Sequence, residues 1–200
     1  MATRHTDQVL ETPAYDGTPQ RPLRSDARRN YERIVAAARE TLRELGADAS
    51  LEEIARRAGV GIGTLYRRFP SRLALLEAVY REDVDTLRQR SQDVVETASE
   101  WDAVAAWVDI FLAYASTKRA LFHELVEAVG RDAELLTYSR QVITDTAGQV
   151  LDNGKRAGVV RPDVEPSDLL RLIGGCSMMG EIDEAQRQRV VAIVLAGIRA

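Results

Sequence analysis

The stretch from Gly61 to Arg72 reads GIGTLYRRFPSR, and its side chains are suited to holding anions. The Thr64 hydroxyl and the Tyr66 phenol can each donate a hydrogen bond. The guanidinium forks of Arg67, Arg68 and Arg72 match the oxygen geometry of a phosphate. Gly61, Ile62 and Gly63 add no hydrogen-bonding side chain, only a small surface and one apolar contact. Contacts of this kind can orient a helix on a phosphate backbone, but they do not read sequence directly.

Something must present these groups together. Ser50 precedes Leu51, and Glu53 follows three residues after the serine. This is the spacing of a capping box, in which the hydroxyl takes an orphan amide and the carboxylate reaches back. A helix is therefore expected from about Leu51, with Leu51, Ile54, Ala55 and Ala58 on one face. Gly59 can take the positive φ that ends it, and Val60 follows as an apolar plug. A second short helix is expected from about Ile62 to Phe69, anchored by Leu65 and Phe69. Pro70 ends it, and Ser71 can cap the next helix. Two short helices about a glycine turn make a helix-turn-helix, whose second helix lies in the major groove in the DNA-binding form. The same spacing also fits an ordinary helical hairpin within a larger bundle.

Residues 27–76 resemble the DNA-binding domain of TetR-family transcriptional regulators. The resemblance rests on Ile34 to Ala38, on Leu51 to Ala58 with Gly59 and Val60, and on Thr64-Leu65-Tyr66. It extends through Phe69-Pro70-Ser71-Arg72 to Leu75-Leu76. It implies phosphate contacts from Tyr66, Arg68 and Arg72 and a DNA contact from Thr64. Gly61, Ile62, Arg68 and Leu73 depart from the usual family residues. With Gly61, Ile62 and Gly63 offering no polar side chains, direct readout would fall to Thr64, Arg67 and the N-terminal arm. Ile62 would add apolar contact with thymine methyls.

The net charge of −4 does not by itself suggest a nucleic-acid partner. Its distribution does. Residues 21–72 hold 12 basic and 7 acidic side chains, whereas residues 73–200 hold 14 and 21. A basic N-terminal third on an acidic body suits a DNA-reading head; chance asymmetry among solvated helix faces is the alternative. Cys176 is the only cysteine, which rules out an internal disulfide and a cysteine-rich zinc site. There is no apolar run of eighteen residues and no signal-like N-terminal segment, so a cytoplasmic protein without membrane contact is expected.

Residues 1–25, with Pro13, Pro19, Pro22 and Gly17, read as a mobile N-terminal arm. Arg24 and Arg28 at its junction with the first helix are expected phosphate contacts. The arm could enter the minor groove or be a plain leader. Residues 26–70 then form the DNA-binding domain and residues 71–200 the ligand-binding and dimerisation domain. Helix one is expected over 26–45, with an apolar stripe of Tyr31, Ile34, Val35, Ala38, Leu42 and Leu45. A long fourth helix should run from Ser71 to about Thr97. The resemblance implies that this helix links head to body and that its tilt moves the recognition helix. Further helices are expected from Ser99 to about Ser116, over Lys118–Val129, and over 132–157, 167–179 and 183–199. No segment alternates as a half-buried strand would. The fold expected is all-α, with about nine helices.

The resemblance implies a ligand cavity in the body, where Trp107, Phe111, Tyr114, Phe122, His123 and Tyr138 cluster. These residues are either pocket lining or simple core. It also implies that the last two helices pair with a second copy through Leu169, Leu172, Ile173, Cys176, Val190, Val191, Val194, Leu195 and Ile198; intramolecular core is the alternative. Cys176 is either a small buried hydrophobe or a redox sensor. No nucleophile–base constellation, phosphate loop or metal set is present, and no cofactor is implied.

The leading expectation is a homodimeric, non-enzymatic transcriptional regulator on a palindromic duplex operator, most often a repressor in this family. A small apolar or aromatic effector would release it. The competing expectation is a helical small-molecule-binding or structural protein without operator binding.

Overall fold

The computed structural model describes residues 21–130, 133–178 and 183–200, with side chains left out at 21–25, 47, 116–123, 176–178 and 184. The described chain is helical with no strand. Its elements are α1 (Arg21–Leu45), a 3-10 turn (Gly46–Asp48), α2 (Leu51–Ala58), α3 (Ile62–Arg68) and α4 (Arg72–Thr97). They continue with α5 (Glu100–Val129), α6 (Glu134–Arg156), α7 (Pro166–Met178) and α8 (Glu184–Ile198).

The expected caps form. The hydroxyls of Ser50, Ser71 and Ser99 accept from the amides of Glu53, Ala74 and Asp102, starting α2, α4 and α5. The capping box is only half made, however. The Glu53 carboxylate turns forward to Arg56 and Arg57, at 2.6–2.7 Å, and is drawn by two cations. Gly59 takes φ 61° and closes α2 with a paired cap. Its amide donates to Arg56 O at 3.1 Å, and the Val60 amide donates to Ala55 O at 3.0 Å.

Two element boundaries differ from the sequence reading. Helix α1 begins at Arg21, five residues before the expected Asp26. Pro22 suggested an arm, but in a first helical turn its missing N–H costs nothing. Residues 1–20 of the arm expected over 1–25 lie outside the described residues. The segments expected as two helices around Ser116 are one continuous helix, α5. No glycine or proline interrupts residues 100–129, and Ser116 and Thr117 alone do not break a hydrogen-bond ladder.

One buried cluster runs through the molecule, from Ile34 and Leu42 of α1 through Ile54 and Leu65 to Trp107, Leu151 and Leu169. Helix α4 packs on α1, α5 and α6, so it belongs to both the head and the body. Inside the body, three hydroxyls close a small ring. Tyr80 of α4 donates to Ser139 of α6 at 2.8 Å, while Tyr114 of α5 lies 2.9 Å from Ser139 and 3.2 Å from Tyr80. All three residues are buried. Burial, and then the neighbouring Tyr80, push the Tyr114 phenol well above its ordinary pKa. The segment after α8 is tied down as well. The Ala200 amide donates to Val159 O, and the Arg161 amide donates to Ile198 O.

Ser139→Ala removes the centre of this ring and takes from each buried phenol its short contact to the serine hydroxyl. A loss of about 1–3 kcal/mol is expected in urea unfolding monitored by circular dichroism.

Candidate nucleic-acid interface

Helix α3 is held by a single inward residue of its own, the fully buried Leu65, with Phe69 buried just beyond its end. The rest of it faces outward. Ile62 is 39% exposed and Tyr66 45%. Gly61, Gly63, Arg67 and Arg68 are exposed, and Thr64 is half-buried. Such a helix contributes little to the core and presents most of its surface to solvent. A side chain added at Gly61 or Gly63 would meet nothing within 4 Å. Internal packing therefore does not require either glycine.

The head also fixes several of these side chains. Arg67 donates to the Thr64 hydroxyl at 3.2 Å, so the two act as one polar group on the surface of α3. The Arg68 guanidinium sits 4.8 Å over the Tyr31 ring of α1, and Tyr31 packs against Phe69 with ring centroids 5.6 Å apart. Tyr31, read from sequence as part of the apolar stripe, is thus a half-buried platform for a surface cation. Burial, and then the nearby Glu82, raise its phenol pKa, while Arg68 and Arg81 oppose the shift.

The helix-turn-helix corner is braced from α1. Arg33 donates to Gly59 O at 3.1 Å. Arg57 of α2 donates to Glu44 of α1 at 2.6 Å. Neither brace was legible in the sequence, because the partners lie 26 and 13 residues apart.

Among the expected phosphate contacts, the structure separates Arg72 from the rest. Its Nε donates to Glu124 Oε1 at 2.6 Å and one Nη to Glu124 Oε2 at 3.1 Å, while another Nη reaches the Ala49 carbonyl. The guanidinium is part-buried and clasped between α5 of the body and the loop before α2. Its geometry is that of a joint between head and body, not of a free surface cation. Glu124 lies 52 residues away, which is why the sequence reading missed it. Arg28 is exposed and pairs with Glu32 at 2.9 Å on its own helix. Such a solvated pair is worth about 0–1 kcal/mol and gives way readily to a phosphate. The Arg24 side chain lies outside the described residues.

The residues expected to line a ligand pocket are only partly described. Trp107 stacks on Phe111 at 5.5 Å, and Phe111 packs on Tyr114 at 6.3 Å. All three are buried, as core residues would be. Among the described residues, the buried indole N–H of Trp107 has no partner. Tyr138 is half-buried and donates to Asp85 of α4 at 3.1 Å. The Phe122 and His123 side chains lie outside the described residues.

The residues expected at a dimer interface divide in two. Leu169, Ile173, Val194 and Ile198 are buried within the chain itself. Helical spacing explains this: they form the inward stripes of α7 and α8, so they are core before any partner arrives. Val190, Val191 and Leu195 are half-buried, and Leu172 is 50% exposed. Ile193, which the sequence reading did not single out, is 71% exposed. The Cys176 side chain lies outside the described residues. Among those residues no helix is long and apolar enough to cross a membrane.

Comparison with known proteins agrees with this geometry. Residues 34–79 match the family described as bacterial regulatory proteins, tetR family. Residues 101–200 match the C-terminal domain described as transcriptional regulator SbtR-like. The crystal structure of the TetR transcriptional regulator SCO0520 from Streptomyces coelicolor is similar at 35% identity and a TM-score of 0.75, over 84% of this chain and 98% of that one. A TetR transcription regulatory protein from Mycobacterium vanbaalenii shows 29% identity and a TM-score of 0.72, over 90% of this chain and 100% of that one. In sequence, the HTH-type transcriptional regulator SAR0097 of Staphylococcus aureus is 35% identical over 109 residues. That match spans 53% of this chain and 56% of the relative, little more than half of each. The HTH-type transcriptional regulator UidR of Escherichia coli K12 is 26% identical over 76% of this chain and 79% of its own length.

Hydrogen bonds from Arg56 and then Arg57 hold the Glu53 carboxyl at a pKa of about 2, below its ordinary 4.5. A depressed carboxyl stabilises the fold above its unfolded pKa, and that contribution is lost as pH falls through the folded value. Glu53→Gln is therefore expected to reduce the pH dependence of stability between about 4.5 and 2. Thermal melts of both proteins across that range measure the difference, which salt should shrink.

Proposed function

The chain belongs to the TetR family of DNA-binding transcriptional regulators, and from that premise we propose that it works as a homodimeric repressor on a palindromic operator, released by a small molecule. The observation that carries the DNA-facing part is α3 itself. Only Leu65 of this helix is buried; Ile62, Tyr66, Arg67 and Arg68 are exposed, and Gly61 and Gly63 are bare. In this reading α3 enters the major groove. Thr64 and Arg67 reach base edges as a coupled pair, and Ile62 meets thymine methyls. Tyr66, Arg68 and Arg28 hold phosphates, with Arg24 extending the same track. The two glycines let the backbone approach the bases closely. Arg72 has a different part: it transmits the position of α5 to the head through Glu124.

The homodimer reading rests on α8. Its run VVAIVLAGI is apolar on every side. Val194 and Ile198 face the body, while Ile193 stands exposed with Ala192, Ala196 and Gly197 around it. A helix apolar all round is normally covered on all sides. A second copy seated on α7 and α8, with Leu172 and Ile193 at the contact, provides that cover. Two heads on one twofold axis then span two half-sites of a palindrome. The effector is small and apolar or aromatic, bound in the body near Trp107, whose indole N–H lacks a partner. Such a protein works in the cytoplasm.

The test is selection of bound duplexes from a random pool at near-physiological salt, with an Arg67→Gln/Arg68→Gln variant run in parallel. The wild type should enrich a palindrome. The variant should enrich none while keeping its helical signal and dimer mass, and its residual binding should lose about 0.9 of salt slope per phosphate contact removed. Full affinity in the variant would overturn the assignment of α3. Separately, Ile193→Glu should yield folded monomers in sedimentation velocity; an unchanged dimer would move the interface off α8.

A further inference from the structure

A cleft of about 200 Å³ opens where α1, α4 and α5 meet, away from the DNA-facing surface of α3. It is lined by Arg39, Asp83, Thr86, Leu87, Arg90, Ile110, Ala113 and Tyr114. Three features define what it could hold. Leu87 and Ile110, both buried, give it an apolar wall, and the buried Tyr114, whose hydroxyl is bonded in the interior ring, also lines it. The charged groups do not balance: two guanidiniums face one carboxylate. Arg39 spends its Nε on Asp83, at 2.5 Å. Its Nη2 is buried and has no partner among the described residues. Arg90 is exposed and makes no ion pair among the described residues. Asp83 is bonded to Arg39 and makes no ion pair with Arg90 among the described residues.

We propose that this cleft binds a small organic monocarboxylate. Arg90 also borders Asp93 and Asp109 in the adjoining groove, so the unmet donor is the buried Arg39 Nη2, and an arginine fork binds a carboxylate through paired, charge-assisted hydrogen bonds. The volume lies below the roughly 300 Å³ at which drug-sized pockets begin, so the acid is small. Its apolar part lies against Leu87, Ile110 and Ala113, and its carboxylate lies between Arg39 and Arg90. This inference rests on the regulator reading only for its consequence. Arg39 belongs to α1 of the head and Arg90 to α4, so an occupant bridging them changes how the head is held on the body. An organic acid there would act on the head from a second site, apart from the effector proposed near Trp107.

Isothermal titration of the full-length protein without DNA tests the site independently of any operator. The probes are sodium benzoate and sodium hexanoate, with benzyl alcohol and hexanol as uncharged counterparts. At least one acid should bind saturably at one site per chain, and its alcohol should not. Arg90→Gln, which breaks no ion pair among the described residues, should weaken the acid about ten- to hundredfold. Arg88→Gln, an exposed change on the same helix but outside the cleft, should leave binding unaltered. Absence of saturable binding by both acids would overturn the proposal. So would equal binding of acid and alcohol, or equal binding by Arg90→Gln and the wild type. Loss of operator binding would leave this titration unaffected, so the two readings fail separately.

Discussion

Burial of one long helix by both parts of the molecule is the constraint on which the structure depends. Helix α4 carries Leu75, Leu76, Val79, Tyr80, Val84 and Leu87 into a single continuous core. Each such burial is worth about 1.5–3 kcal/mol, so neither the head nor the body can let go of α4 cheaply. The helix packs on α1 at one side and on α5 and α6 at the other. It cannot tilt without disturbing both sets of contacts. A change in how α5 or α6 holds α4 is therefore felt at α1 and, through the braced corner, at α3.

Polar groups set where the coupling is firm and where it can be altered. The Tyr80–Tyr114–Ser139 ring pins α4 to α5 and α6 in the interior, where an unmet hydroxyl would be costly. Nearer the surface, Arg72 with Glu124 and Arg39 with Asp83 tie the head to the body through part-buried ion pairs. Breaking one partner of such a pair strands the other charge, so these pairs act as joints. Burial raises the Asp83 pKa, although Arg39 opposes it; desolvation is the larger effect at that joint. The cleft beside Arg39 lies at one of these joints, which is why occupancy there could have reach.

The recognition helix is the opposite case. It is short, has one buried residue of its own and depends on its neighbours for position. Arg33 holds the Gly59 carbonyl, Tyr31 supports Arg68, and Leu65 fills the gap. Its surface is left free for a partner because its placement has been delegated to α1 and α2. Gly59 shows how tight that corner is. It takes a φ of 61°, and an added Cβ would lie 2.5 Å from Arg33 Nη2.

Much of this was legible in the sequence because it is local. Ser50, Ser71, Ser99 and Gly59 act within four residues of themselves, so the starts of α2, α4 and α5 and the end of α2 could be read directly. The 3.6-residue period marked the inward faces, and the concentration of arginines before residue 73 marked the head. The failures came where a local sign was outweighed. Pro22 lay inside a helix, Ser116 and Thr117 did not break one, and Glu53 chose arginines over its cap. Tertiary structure alone decided the non-local partnerships. It assigned Arg72 to Glu124, Arg33 to Gly59 and Arg39 to Asp83, and it chose which sides of α7 and α8 turn inward. Period shows that a helix has an apolar face, but an all-apolar run such as residues 190–198 of α8 has no preferred one. Which side is buried then depends on which helices are its neighbours, and that is a property of the assembled fold.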